Sequence, residues 1–215
     1  MTPNAASDGR QTLMAQEAGE AATAVAAMLA ANREAFAAIG QRLRTAPPVA
    51  VVTCARGSSD HAATYAKYLI ETLTGVPTAS AALSVASLYD APVAPGNRLC
   101  IAISQSGKSP DLLATIEHQR KAGAFVVAMV NAEDAPLAAL ADVVIPLKAG
   151  PERSVAATKS YICSLAAIAA LVAAWAQDEA LETAVADLPA QLERAFALDW
   201  SAAVTALTGA SGLFV

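Results

Sequence analysis

Three stretches of this 215-residue chain gather hydroxyl side chains just ahead of helical patterns: Ala55-Arg56-Gly57-Ser58-Ser59, Ser104-Gln105-Ser106-Gly107-Lys108-Ser109, and AGPERSVAATKS at 149–160. A helix start leaves backbone N–H groups unpaired and carries about half a positive charge. Serine and threonine hydroxyls beside such amides complete a cradle for an anion, above all a phosphate or phosphate ester. Any one loop of this kind, taken alone, reads as a helix cap. Three of them, each following a buried strand, read as a binding edge.

A second chemistry competes for the middle loop. Ala102-Ile103-Ser104-Gln105-Ser106-Gly107-Lys108-Ser109 fits a relaxed P-loop pattern with alanine in the first glycine position. That motif would set Lys108 on the β/γ-phosphates of a nucleotide and Ser109 on magnesium. Ala102, however, lies inside an apolar run where a strand should continue, and a P-loop needs glycine there to turn the backbone. Pro110 follows at once, and no strand ends in an aspartate suited to the metal. No GxGxxG follows any strand, so a dinucleotide site is weaker still. Arg56 is either a bidentate phosphate ligand or a loop-tip charge. Lys108 reads as solvated. Lys159 is as well suited to pairing with a carboxylate as to touching a ligand.

Cys54, Cys100 and Cys163 stand far apart with no CxxC spacing, and His61 and His118 share no metal-ligand spacing with them. This pattern predicts buried thiols in a reducing cytoplasm, no metal and no cofactor. The net charge of −5 disfavours nucleic acid as a partner. Hydrophobic residues make up 55% and charged residues 15%, with alanine about a quarter of the chain, which excludes a disordered polymer and favours helix. The apolar stretch 161–176 is short and alanine-rich, so it predicts a buried helix and not a membrane span. Residues 1–12 are polar, lack an apolar signal core and read as a disordered tail.

The elements that must position the loops follow from periodicity. A helical pattern runs from Leu13 to about Arg44 and stops at Pro47-Pro48. Continuous apolar runs at Val49–Cys54, Arg98–Ser104, Ala124–Asn131 and Asp142–Ala149 predict strands buried on both faces. Thr78–Pro95 is ambiguous, with TASAAL a short strand and SVASLYD a short helix capped near Ser84. A helix follows the first loop to Leu73. Ser109 and Pro110 predict the N-cap and first position of another, ending near Lys121. Further helices cover the stretch from 151–161 to Ala176, and Glu179–Ala197. Strands alternating with helices predict an α/β fold, a three-layer doubly wound parallel sheet with flanking helices and right-handed crossovers. In such sheets ligands sit beyond the carboxyl ends of the strands, where all three loops emerge.

The stretches VTCARGSSDHAATYAKYLIETLTG, IAISQSGKSPDLLATI and SVAATKSY together resemble the sugar isomerase (SIS) domain over about 13–200. The nearest likeness is to the isomerase half of glucosamine-6-phosphate synthase and to the aminosugar-phosphate isomerases and deaminases. The resemblance implies a five-stranded parallel sheet, with two such domains in tandem. It implies that Ser104, Gln105, Ser106 and Ser109 ligate a phosphate. Gly57, Ser58 and Ser59 would complete the cradle and contact the sugar. Val155, Ala156 and Ala157 would line the sugar through main-chain groups. It also offers Glu71 as a catalytic candidate, able to move a proton between C1 and C2 of an open-chain sugar; the alternative is a surface carboxylate. His61 reads as a polar helix-start residue, with service to a neighbouring subunit's site as the alternative.

The expected ligand is a hexose 6-phosphate, with no nucleic acid, no membrane and a homodimeric assembly. The expected domain is 13–200, and residues 201–215 are expected to begin a second, truncated SIS domain. The synthase's glutaminase unit has no counterpart before Leu13, which favours a deaminase or isomerase. Most proton-moving residues of the family belong to the second domain, so this chain is expected to bind without turnover. A sugar-phosphate sensor and a nucleotide binder are the alternatives.

Overall fold

The computed structural model describes residues 12–212. Helices α1 (Leu13–Gly19) and α2 (Ala21–Thr45) precede strand β1 (Ala50–Cys54). Then come α3 (Ser58–Thr74), β2 (Thr78–Ser80), α4 (Leu83–Ser87), β3 (Arg98–Ser104) and α5 (Pro110–Lys121). Next are β4 (Phe125–Val130), α6 (Pro136–Leu140), β5 (Val143–Pro146), α7 (Lys159–Ala176), α8 (Glu179–Phe196) and α9 (Ser201–Thr208).

All strand pairs are parallel, in the order β2-β1-β3-β4-β5. This is the doubly wound sheet that the alternating pattern predicts. From β1 the chain winds outward to β2, then returns past β1 to β3. The loops after β1 and β3 therefore diverge to opposite faces and leave a crevice between them.

Helices α2, α3 and α7 cover one face over Val25, Met28, Val51, Leu99, Ile101, Ile103, Met129 and Ile168. Helices α5 and α6 cover the other, over Cys100, Ala102, Leu112, Ile116, Val126 and Leu137. The strands are apolar on both sides because both sides are covered. The long apolar helix α7 is 67% buried within the domain and packs against α2, α3 and α8, so its hydropathy serves the core. Asn32 of α2, nearly fully buried, donates from Nδ2 to Met28 O (2.8 Å) and to Pro146 O (2.9 Å), tying α2 to the end of β5. Removing that donor would leave a buried carbonyl unpaired, at about 1–3 kcal/mol.

The structure differs from the pattern at several points. The single helix expected over 13–44 is broken at Glu20, which ends α1 and begins α2. Glu20 keeps right-handed helical φ and ψ (−82°, −9°), so apolar periodicity carries no mark of the break. In the ambiguous segment α4 starts at Leu83 behind Ala82, and Ser84 caps nothing. Helix α7 begins only at Lys159, leaving the preceding segment as an extended loop. Of the tail expected at 1–12, Thr12 caps α1 through Oγ1, which accepts from Ala15 N (3.2 Å), and 1–11 lie outside the described residues. Residues 201–208 form α9, while the strand-like end expected at 213–215 lies outside the described residues.

Cys54 and Cys100, distant in sequence, meet across β1 and β3 with their Sγ atoms 3.8 Å apart, both fully buried and reduced. The contact with Cys54 and the burial push the Cys100 thiol well above its ordinary range. Burial pushes Cys163 up to about 12. A thiol held protonated is a poor nucleophile and a poor metal ligand. Among the described residues no group of His, Cys, Asp and Glu is placed to hold a metal ion.

Candidate functional site

Beyond the carboxyl ends of β1 and β3 the three loops enclose a cleft of about 300 Å³. It is lined by Arg56, Ser58 and Ser59 of the first loop, Ser104, Gln105, Ser106 and Ser109 of the second, and Val155, Ala156 and Ala157 of the third, over Ile103 and Leu112. The volume is at the small end of the ~300–1,000 Å³ range of ligand sites. Two larger grooves, of about 650 and 520 Å³, lie elsewhere. One sits at the amino edge of the sheet beside Arg42 and Phe125, and the other between α2, α7 and α8. Neither gathers hydroxyls, and neither is at the crevice that the strand order opens.

The second loop is held by its own chemistry. Ser104, at the end of β3, is buried, and its Oγ accepts from Gly107 N (2.9 Å). Gly107 takes φ +62°, and Leu137 N donates to its carbonyl (3.2 Å). The turn delivers Ser109 to the N-cap of α5 with Pro110 behind it, as the sequence predicts. The Ser109 side chain makes no cap hydrogen bond, however, so its hydroxyl is left to the cleft. In the first loop Gly57 adopts φ +56°, ψ −133°, a conformation that costs a side-chain-bearing residue dearly. Gly57 does not itself line the cleft; it makes the turn that aims Ser58 and Ser59.

Many hydroxyls of this chain bond back to a carbonyl of their own helix, as at Thr64, Thr74, Ser164 and Thr183. Those of Ser58, Ser59, Ser106 and Ser109 make no hydrogen bond among the described residues. The backbone N–H groups of Ser58, Ser59, Gln105, Ser106 and Ser109 are likewise unpaired there. Arg56 is the sole charged side chain among the lining residues, and it pairs with Asp111 in the first turn of α5. Free hydroxyls, free amides at two helix starts and one guanidinium, with no carboxylate lining the cleft, form an environment for an anion.

Other candidates lie elsewhere. Glu71 is exposed near the end of α3, where its Oε1 accepts from Thr78 N (2.9 Å) at the start of β2. In a parallel sheet that is the edge opposite the cleft, so Glu71 steadies the entry to β2 and does not line the cleft. Lys108 does not line the cleft. Lys159 is buried, and its Nζ lies 2.5 Å from Glu20 Oε2, which resolves its two readings in favour of the carboxylate. His61 is exposed on the first turn of α3. Ala102 is a fully buried residue of β3 in register with Cys54 and Ala128, so no P-loop turn occurs there.

Sequence reasoning missed the residues that shape the third loop. Asn131 at the end of β4 accepts from Ala149 N at Oδ1 and donates to Gly150 O, each at 2.9 Å. Glu17 and Glu152 bind the loop further along. No local pattern marks Glu17, which sits 136 positions from Arg153, whose amide it accepts.

Fold and cleft together define a doubly wound α/β domain with a hydroxyl- and amide-lined cleft at its switch point. Residues 48–174 match the SIS domain family, and the chain belongs to it. It is similar to glutamine–fructose-6-phosphate aminotransferase (isomerizing) of Zymomonas mobilis, 40% identical over 123 residues, covering 57% of this chain and 20% of that protein. The enzyme of that name from Symbiobacterium thermophilum is 34% identical over 184 residues, covering 80% of this chain and 30% of that one. Among solved structures, a protein of Silicibacter pomeroyi DSS-3 described as a phosphosugar isomerase superposes with a TM-score of 0.89 at 42% identity, over 92% of this chain and 61% of that chain. The chain thus spans a third or less of the length of these curated relatives.

Proposed function

We propose that this chain is the phosphosugar-binding domain of an aminosugar-phosphate deaminase or isomerase of the glucosamine 6-phosphate/fructose 6-phosphate class. The observation that carries the reading is the convergence of unpaired serine hydroxyls and amides on one cleft whose lone charge is Arg56. The phosphate would lie among Ser104, Gln105, Ser106 and Ser109, with Ser58 and Ser59 closing the cradle. The sugar would run along Val155–Ala157. Kinship with aminotransferases acting on fructose 6-phosphate supports the choice of a hexose 6-phosphate.

The chain's own contribution is to bind and orient. Among the described residues no carboxylate or imidazole lines the cleft to move a proton. Groups that do so belong, on this reading, outside this cleft, in a second unit of the same kind. Reduced, buried thiols suit a cytoplasmic setting. Inorganic phosphate and glucosamine 6-phosphate are each expected to raise the melting temperature of the 215-residue chain, while ATP does not. A response to ATP alone, or to none of them, overturns the reading. Phosphosugar binding by a longer protein that releases neither ammonia nor an isomer would favour a sensor.

We also propose a homodimer. Exposed Tyr65 and Tyr68 on α3 and Leu88 and Tyr89 beside α4 leave apolar surface for a second copy. Light scattering is expected to give twice the chain mass; a monomeric mass contradicts it.

A further inference from the structure

Segment 149–158, between β5 and α7, has no regular structure, yet buried or half-buried side chains hold its amides on either side of the cleft-lining stretch. Glu17 of α1 accepts from Arg153 N at Oε1 (2.5 Å), from Ser154 N at the same atom (3.2 Å), and from the Ser154 hydroxyl at Oε2. Glu152 folds the other end back. Its Oε1 accepts from Thr158 N (2.6 Å) and Ser160 N (3.2 Å), and its Oε2 accepts from the Ser160 hydroxyl. Between these two carboxylates lie Val155, Ala156 and Ala157. Their N–H groups have no partner among the described residues, and all three line the cleft.

Glu17 is 5% exposed. Burying a carboxylate is costly unless donors surround it. The amide of Arg153, then the hydroxyl of Ser154, outweigh the burial and hold the Glu17 carboxyl below its ordinary range. An ionised acceptor therefore faces the loop at neutral pH. Lys159 adds a favourable charge nearby and is itself held by Glu20.

We propose that Glu17 is a positioning residue: reaching from α1 to the amides of Arg153 and Ser154, it sets the main chain of Val155–Ala157 against the sugar of the bound phosphosugar. The proposal rests on the phosphosugar reading above. It separates two parts of one ligand. The phosphate cradle, Ser58–Ser59 and Ser104–Ser109, owes nothing to Glu17, whereas the sugar wall depends on it.

Calorimetric titration of the full chain with two probes tests this, glucosamine 6-phosphate for both parts and inorganic phosphate for the cradle alone. Glu17→Gln turns an acceptor toward a donor and is expected to weaken glucosamine 6-phosphate about tenfold, while inorganic phosphate stays within about twofold. Glu34→Gln, at an exposed carboxylate further along α2, is expected to leave both within about twofold. Ser154→Ala removes one donor to Glu17 from the loop side and is expected to cost the sugar phosphate about threefold, which keeps the test alive if Glu17→Gln does not fold. Glu17→Gln or Ser154→Ala weakening both ligands alike, or neither, overturns the proposal. So does a wild-type chain that binds glucosamine 6-phosphate no better than inorganic phosphate. A wild-type chain that binds neither probe overturns the phosphosugar reading itself.

Discussion

Replacing Ser104 and Ser106 together by alanine is expected to erase the thermal response to glucosamine 6-phosphate and inorganic phosphate. At a ligand concentration of one hundred times Kd, mass action adds about 2.7 kcal/mol to stability. For a chain of this size each kcal/mol moves the melting temperature by about 2–4 °C, so the wild-type response should be ~5–10 °C. The two hydroxyls act differently, and the single variants show it. Ser104 Oγ already accepts from the buried Gly107 amide (2.9 Å), so Ser104→Ala should also lower the unliganded stability by about 1–3 kcal/mol. The Ser106 hydroxyl has no partner among the described residues, so Ser106→Ala should leave the unliganded baseline within about 0.5 kcal/mol while weakening the response. Differential scanning fluorimetry reads both effects. A double variant that still answers to phosphate makes the loop a structural turn.

Gly107→Ala is expected to be the most damaging single substitution at the cleft. A Cβ at this position would lie 2.6 Å from Ala135 Cβ, 3.0 Å from Val130 Cγ2 and 3.2 Å from Leu137 Cβ. None of these can yield cheaply, because Val130 belongs to β4 and the others pack at α6. The φ of +62° adds backbone strain of about 1–2 kcal/mol for any L side chain. Overpacking contributes a further ~1–3 kcal/mol. The sum, about 2–5 kcal/mol, should lower the melting temperature by ~5–15 °C and displace Ser106 from the cradle. Chemical denaturation of the variant, with and without phosphate, checks this; a variant as stable as the wild type would show that the turn can relax.

What could be read from the chain divides along physical lines. Strands β1, β3 and β4 were legible because strands buried on both faces write themselves as unbroken apolar runs. Helix α5 was legible because Ser109-Pro110 is a strong start signal. The three loops were legible as a set because hydroxyls follow each strand end, and the structure brings nine of the ten expected binding residues to one cleft. The tenth, Gly57, makes the turn beside it. Short β2 and α4 fall where TASAAL suggests a strand and SVASLYD a helix, but alanine and serine suit either state and left their limits open. The approach of Cys54 to Cys100 depends on β1 lying beside β3, a matter of strand order that no local window contains. Glu71 shows what a residue's place in the chain leaves open. Its place on the first crossover helix is right, but a helix spans the sheet from edge to edge, and Glu71 sits at the far end.

The family signature begins at residue 48, whereas Glu17 and all of α2 precede it. A fragment excised at the signature's borders would bare the flank of α7 that α2 covers and would lose the anchor of its third loop. Anyone transplanting this recognition surface into a chimera must therefore carry the leading pair of helices along. The transferable unit is larger than the stretch by which its kinship is detected.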